Sequence, residues 1–123
     1  MQQKILLVDD REDNLLSVQS ILEPGGYHFV KANSGREALK VLLTQIDFAL
    51  ILMDVNMPNL NGFQTASLIY EREKLRNIPI IFITAFPEEN VREKALAAGA
   101  RGFLSKPYQE LSLIKCIETA LVV

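Results

Sequence analysis

The sequence predicts an α/β fold, five parallel strands alternating with five helices in a three-layer sandwich, and three observations carry that prediction. Short apolar runs rich in Val, Ile and Leu recur: Lys4-Ile5-Leu6-Leu7-Val8, Phe48 to Met53, Ile78 to Ile83, and Gly102 to Ser105. Runs of this length, separated by helical stretches, read as parallel strands buried on both faces. Strands and helices alternate five times along the chain, and the right-handed crossover rule turns such a (βα)5 series into a parallel sheet with helices on both sides. Finally, the four runs lead into polar residues at their carboxyl ends: Asp9-Asp10, Asp54, Thr84 and Lys106-Pro107. A strand order 2-1-3-4-5 places a topological switch point between strands 1 and 3, where Asp9, Asp10 and Asp54 emerge, and ligands of open α/β sheets bind at such points.

Helix 1 is expected from Glu12 to Glu23, with Leu15, Val18 and Leu22 inward, Asp10 as N-cap and Pro24-Gly25-Gly26 as the stop. Strand 2, His28 to Ala32, is the most polar strand and is placed at an edge. Ser34-Gly35-Arg36-Glu37 has capping-box spacing and opens helix 2, with Ala38, Leu42 and Ile46 inward. Asn61-Gly62-Phe63-Gln64 opens helix 3, where Phe63, Ala66 and Ile69 recur at helical spacing. Pro87-Glu88-Glu89 opens helix 4, whose apolar face (Val91, Ala95, Ala98) is small, and Gly99 ends it. Helix 5 is expected to bury Leu111, Ile114, Ile117 and Leu121.

Composition narrows the function classes. The 123 residues fit one domain, 1–123, and a formal charge of -2 supplies no field for nucleic acid or an anionic membrane. No apolar run approaches the ~20 residues needed to span a bilayer, and Asp9-Asp10 interrupts any signal-like segment, so a cytoplasmic location is expected. Cys116 is the only cysteine; Ile114 and Ile117 beside it suggest a small core-side residue rather than a redox group. His28, the only histidine, lies away from the polar sheet edge and is given no catalytic part.

Each strand-end residue has an ordinary reading by itself. Asp9-Asp10 fits a helix cap and its neighbour, Thr84 a hydroxyl bonded to backbone, and Lys106 a solvated surface lysine. Asp54 resists such a reading, because it ends the most apolar strand and a buried carboxylate is costly without a partner. Together they place three carboxylates, a hydroxyl and an ammonium at one sheet edge. Clustered oxygen ligands suit a hard cation such as Mg²⁺, and a lysine facing them suits a phosphate.

In order and spacing, Leu-Leu-Val-Asp9-Asp10, Asp54-Val-Asn-Met-Pro-Asn-Leu-Asn-Gly62, Ile-Thr84-Ala85 and Lys106-Pro107 resemble the receiver domains of bacterial two-component response regulators. The resemblance implies a flavodoxin-like fold and a phosphorelay role. Asp54 would accept a phosphoryl group from a histidine kinase or phosphotransfer protein, and the domain would catalyse only its own phosphorylation and dephosphorylation. Asp10 and Asp54 would ligate Mg²⁺ directly with the backbone carbonyl of Asn56, and Asp9 would act through a water. Thr84 and Lys106 would bind phosphoryl oxygens, Phe103 would be the switch aromatic, and Lys106-Pro107 would be cis. Output would pass through helix 4, strand 5 and helix 5 to an effector domain or protein, and that face is a candidate homodimer contact on phosphorylation. The stretch Asp9 to Leu16 resembles receivers joined to sensor kinases. Phe103 lacks the hydroxyl of the family's common tyrosine, and Phe86 is large enough to screen a phosphoryl group from water.

Three other readings are weaker. A phosphohydrolase of the haloacid dehalogenase type would carry an aspartate where Asn56 stands, and a cap domain. A flavodoxin-like FMN binder would want free N–H groups after strand 1, where Asp9-Asp10 would repel phosphate. A degenerate receiver used only for binding would lack some of the site residues, all of which are present.

Overall fold

The alternating apolar runs form a single parallel sheet in the order β2-β1-β3-β4-β5. A computed structural model of the chain describes residues 2–85 and 91–121. The elements are β1 (Lys4–Val8), α1 (Glu12–Leu22), β2 (His28–Ala32), α2 (Gly35–Val41), β3 (Leu50–Asp54), α3 (Gly62–Tyr70), β4 (Ile80–Thr84), α4 (Val91–Ala97), β5 (Gly102–Ser105) and α5 (Glu110–Leu121). The polar strand β2 is at one edge, and exposed His28 sits at its amino end, far from the carboxyl edge.

The central strands sort their side chains by the two-residue period. Leu6, Val8, Ile51, Met53, Ile80 and Phe82 meet Ala38, Leu42, Ala66, Ile69 and Ala95, from α2, its C-cap, α3 and α4. Ile5, Leu7, Leu50, Leu52, Ile81 and Ile83 meet Leu15, Val18, Leu22, Leu113, Ile117 and Ala120, from α1 and α5. Cys116 packs half-buried against this second layer, and burial pushes its thiol pKa up, which keeps it protonated and unreactive.

Several local expectations need correction. Asp10 is not the N-cap of α1; Arg11 is, without a side-chain cap bond, because Asp9 Oδ1 already accepts the Arg11 N–H at 3.0 Å. Ile46 is 44 % exposed, since α2 ends at Val41 and Arg72 Nη1 holds the Leu42 carbonyl at 2.7 Å. The capping box of α2 is half formed: Ser34 Oγ accepts from Glu37 N, but the Glu37 carboxylate accepts from Asn33 N at 3.4 Å. The α5 face is rotated from the expected one. Leu111 is 57 % exposed while Leu113, Ile117 and Ala120 are buried; Ile114 and Leu121 pack at the margin. The opening of α4 at Pro87-Glu88-Glu89, the side chain of Val91 and the role given to Phe86 lie outside the described residues.

The start of α3 fixes the backbone around Asp54. Asn61 and Gln64 complete a reciprocal capping box, and Gly62 N donates to Val55 O at 3.0 Å. A Cβ on Gly62 would lie 2.5 Å from the Asp54 carbonyl oxygen and 2.9 Å from Val55 Cα, both backbone atoms. Gly62→Ala should therefore cost about 1–3 kcal/mol by overpacking. A urea unfolding curve within about 0.5 kcal/mol of the parent would contradict that close approach.

Candidate functional site

Strand register assembles the site. Val8 pairs with Met53 and Asp54 with Ile83, so Asp9 and Asp54 leave the sheet level with each other. Thr84 pairs with Ser105, which puts Lys106 one step further along the neighbouring strand. Side-chain alternation then divides the residues between the two faces. Asp9, Asp54 and Lys106 follow the parity of the α1/α5 layer, whereas Thr84 and Phe103 follow that of the α2–α4 layer.

The acidic residues converge. Oxygens of Asp9, Asp10 and Asp54 lie within 4.8 Å of one another, with Asp10 exposed and the other two buried. Asp9 Oδ1 is engaged by Arg11 N at 3.0 Å and Asn14 Nδ2 at 3.4 Å, so Asp9 also braces the β1–α1 turn. Lys106 Nζ stands 3.7 Å from both Asp9 Oδ2 and Asp54 Oδ1, an ion-pair separation too long for a hydrogen bond. The Lys106-Pro107 peptide is cis.

The Asp54 carboxylate is buried and only partly satisfied. It is 5 % exposed, and among the described residues its Oδ1 has no hydrogen-bond partner. Burial and the nearby Asp9 charge push its pKa from the ordinary 3.8 up to about 6, against the opposing pull of Lys106 and the Asn56 N–H. Asp9 is also raised, chiefly by burial. Two buried carboxylates facing a single ammonium at ion-pair distance among the described residues make a pocket short of positive charge, and an orphaned carboxylate oxygen fits a hard-cation donor set.

On the other face Thr84 is fully buried, and its hydroxyl donates to Asn56 Oδ1 at 3.0 Å. Phe103 is half-buried beside a cavity of ≈ 340 Å³ that Arg92, Ala95, Leu96, Ala100 and Arg101 also line. Next to the carboxylates, Asn14, Ser17, Ile21, Lys106, Pro107 and Tyr108 border an open groove. The Asn56 side chain, Asn14 and Tyr108 were not anticipated from sequence. A cue existed for Asn14, an amide in the first turn after Asp9-Asp10; the other two depend on tertiary placement.

The sequence profile of the response regulator receiver domain matches residues 5–118. The chain belongs to this family. Receiver domains of two-component response regulators are signalling proteins with a phosphorelay role, and the fold here is the flavodoxin-like one expected of them. The polar-differentiation response regulator DivK of Brucella ovis is 31% identical over 121 residues, 98% of either chain. The chemotaxis protein CheY4 of Vibrio cholerae superposes with a TM-score of 0.91 at 30% identity, over 98% of this chain and 100% of that one. The receiver domain of a signal transduction histidine kinase from Syntrophus aciditrophicus gives 0.88 at 29% identity, over 97% and 89%. Receiver residues 5–118 include each strand-end group named above. No helix among the described residues is long and apolar enough to cross a membrane.

Proposed function

We propose that this receiver accepts a phosphoryl group on Asp54 in an Mg²⁺-dependent reaction and signals through the α4–β5–α5 surface. The observation that carries the reading is the buried Asp54 Oδ1, which has no hydrogen-bond partner among the described residues while Asp9 and Asp10 crowd it and Lys106 stands at 3.7 Å. An Asp54 oxygen attacks phosphorus, the phosphorus–nitrogen bond of a phosphohistidine donor breaks, and the imidazole nitrogen keeps the electron pair. The groove beside α1 gives such a donor, on a histidine kinase or phosphotransfer protein, access to the carboxylate. Asp10, Asp54 and the Asn56 carbonyl would hold Mg²⁺, with Asp9 acting through a water. When bound, the ion supplies positive charge that offsets the carboxylates and the incoming group. Lys106 and the Thr84 hydroxyl receive the phosphoryl oxygens by charge-assisted hydrogen bonds. Loss of the group to water completes the domain's own cycle. The whole of 1–123 acts as this one domain, in the cytoplasm, with no direct contact to nucleic acid or membrane.

Phosphorylation adds roughly -1.5 to -2 charges. Thr84, drawn toward that charge, leaves space on the α4 side of the sheet, and Phe103 shares that side with the cavity beside it. Among the described side chains of α4 only Ala95 is fully buried, so its displacement costs little apolar area. The altered face then meets an effector domain or protein, or a second copy. Binding beryllofluoride with Mg²⁺ should move amide signals most from Ala85 to Tyr108. If the largest shifts outside the pocket fall on α1 and α2 instead, the output surface is misplaced.

A further inference from the structure

Asn56 lies two residues beyond Asp54, and the mechanism above uses only its backbone carbonyl. Its side chain has separate business. Asn56 Oδ1 accepts from the Thr84 hydroxyl at 3.0 Å and from the Ala85 backbone N–H at 3.3 Å. A backbone N–H can only donate, so the atom facing it is the amide oxygen and not the amide nitrogen. One neutral carbonyl oxygen thus gathers two donors from the end of β4. The surrounding backbone is already fixed: Val55 N donates to Ile83 O at 2.8 Å, and Lys106 N to Thr84 O at 2.7 Å.

We propose that the Asn56 side-chain oxygen is a built-in surrogate for a phosphoryl oxygen, holding the Thr84 hydroxyl and the Ala85 N–H while Asp54 is unmodified and yielding both when it is phosphorylated. The inference rests on the receiver reading of Asp54. An amide suits this task because it accepts hydrogen bonds as a phosphoryl oxygen does without adding a charge beside three carboxylates. A phosphoryl oxygen is anionic and binds the same donors more strongly, so the exchange runs forward once the group arrives. Until then the two bonds favour the resting arrangement, and their loss is subtracted from the affinity for the phosphoryl group. Asn56 is therefore a positioning residue, acting through Thr84 and Ala85, that sets how readily this receiver switches.

Asn56→Ala removes the amide and keeps the backbone carbonyl. In the metal-free variant the Thr84 and Ala85 amide signals should move toward their positions in the beryllofluoride-bound parent. The beryllofluoride concentration at half-saturation, with Mg²⁺ fixed, should fall about three- to tenfold, as expected for one or two modest hydrogen bonds. In the parent, the Asn56 side-chain carbonyl carbon and the Ala85 amide should shift together on beryllofluoride binding, a readout that needs no variant to fold. A folded variant with resting Ala85 signals, or with an unchanged or higher half-saturation point, overturns the surrogate role alone. So does a parent in which beryllofluoride binds and the Asn56 carbonyl signal stays put. A parent that takes up no beryllofluoride overturns the receiver reading and the surrogate role with it.

Discussion

Asp54→Asn should stabilise the metal-free protein at neutral pH while removing its capacity to hold a phosphoryl group. Folding raises the Asp54 pKa from 3.8 to about 6, so the native state binds more protons than the unfolded chain between those values. Stability contributed by this group is present below pH ~4 and is lost as pH rises through about 6. The shift corresponds to about 3 kcal/mol at pH 7.5. An amide relieves the charge but still buries polar atoms, so a gain on the order of 1–3 kcal/mol is expected. The parent's urea midpoint should fall between pH 4 and 6 in EDTA, and this part of the decline should disappear in Asp54→Asn. The raised Asp9 pKa has the same sign and leaves a residual slope. Mg²⁺ should restore much of the parent's stability at neutral pH, since an ion that binds only the folded form stabilises it by mass action. Equal or lower stability of Asp54→Asn in EDTA across pH 6–8 would contradict a strained carboxylate.

Lys106→Ala should separate phosphorylation from switching. The ammonium is 3.7 Å from two carboxylates and bonds neither closely, so its loss should cost folding about 1 kcal/mol or less. A phosphoryl group would give it a charge-assisted hydrogen bond worth about 1.5–3 kcal/mol, tenfold or more in affinity. The variant should therefore unfold close to the parent in urea, bind beryllofluoride at least about tenfold more weakly, and leave the amides of Phe103 and α4 near their resting positions even at saturation. A large loss of stability together with a fully activated amide spectrum would reverse that division of labour.

The strands and their order were legible because apolar runs of strand length admit few other arrangements, and the polar β2 announced itself as an edge. The gathering of polar groups at the strand ends was legible for the same reason: register places Asp9 beside Asp54, Thr84 one step on, and Lys106 one step beyond Thr84. Helix faces were less so. In α5, Leu111 with Ile114 and Leu113 with Ile117 offer two stripes, and packing selects the second. The end of α2 depends on Arg72, thirty residues from the Leu42 carbonyl it holds. At the N-terminus of α1, two adjacent aspartates compete for one role, and the buried Asp9 takes the Arg11 N–H that a cap at Asp10 would have left elsewhere. The Asn56 side chain was invisible for a different reason. Its residue type permits many partners, and only the placement of the β4 end shows which it takes.

The proposed role of Asp54 is to receive the phosphoryl group, with a divalent cation required. Intact mass after incubation with acetyl phosphate measures this directly, on the parent with Mg²⁺, the parent with EDTA, and Asp54→Asn with Mg²⁺. That role requires a gain of one phosphoryl unit in the first sample and none in the other two. A gain that persists in Asp54→Asn, or that is indifferent to EDTA, contradicts it.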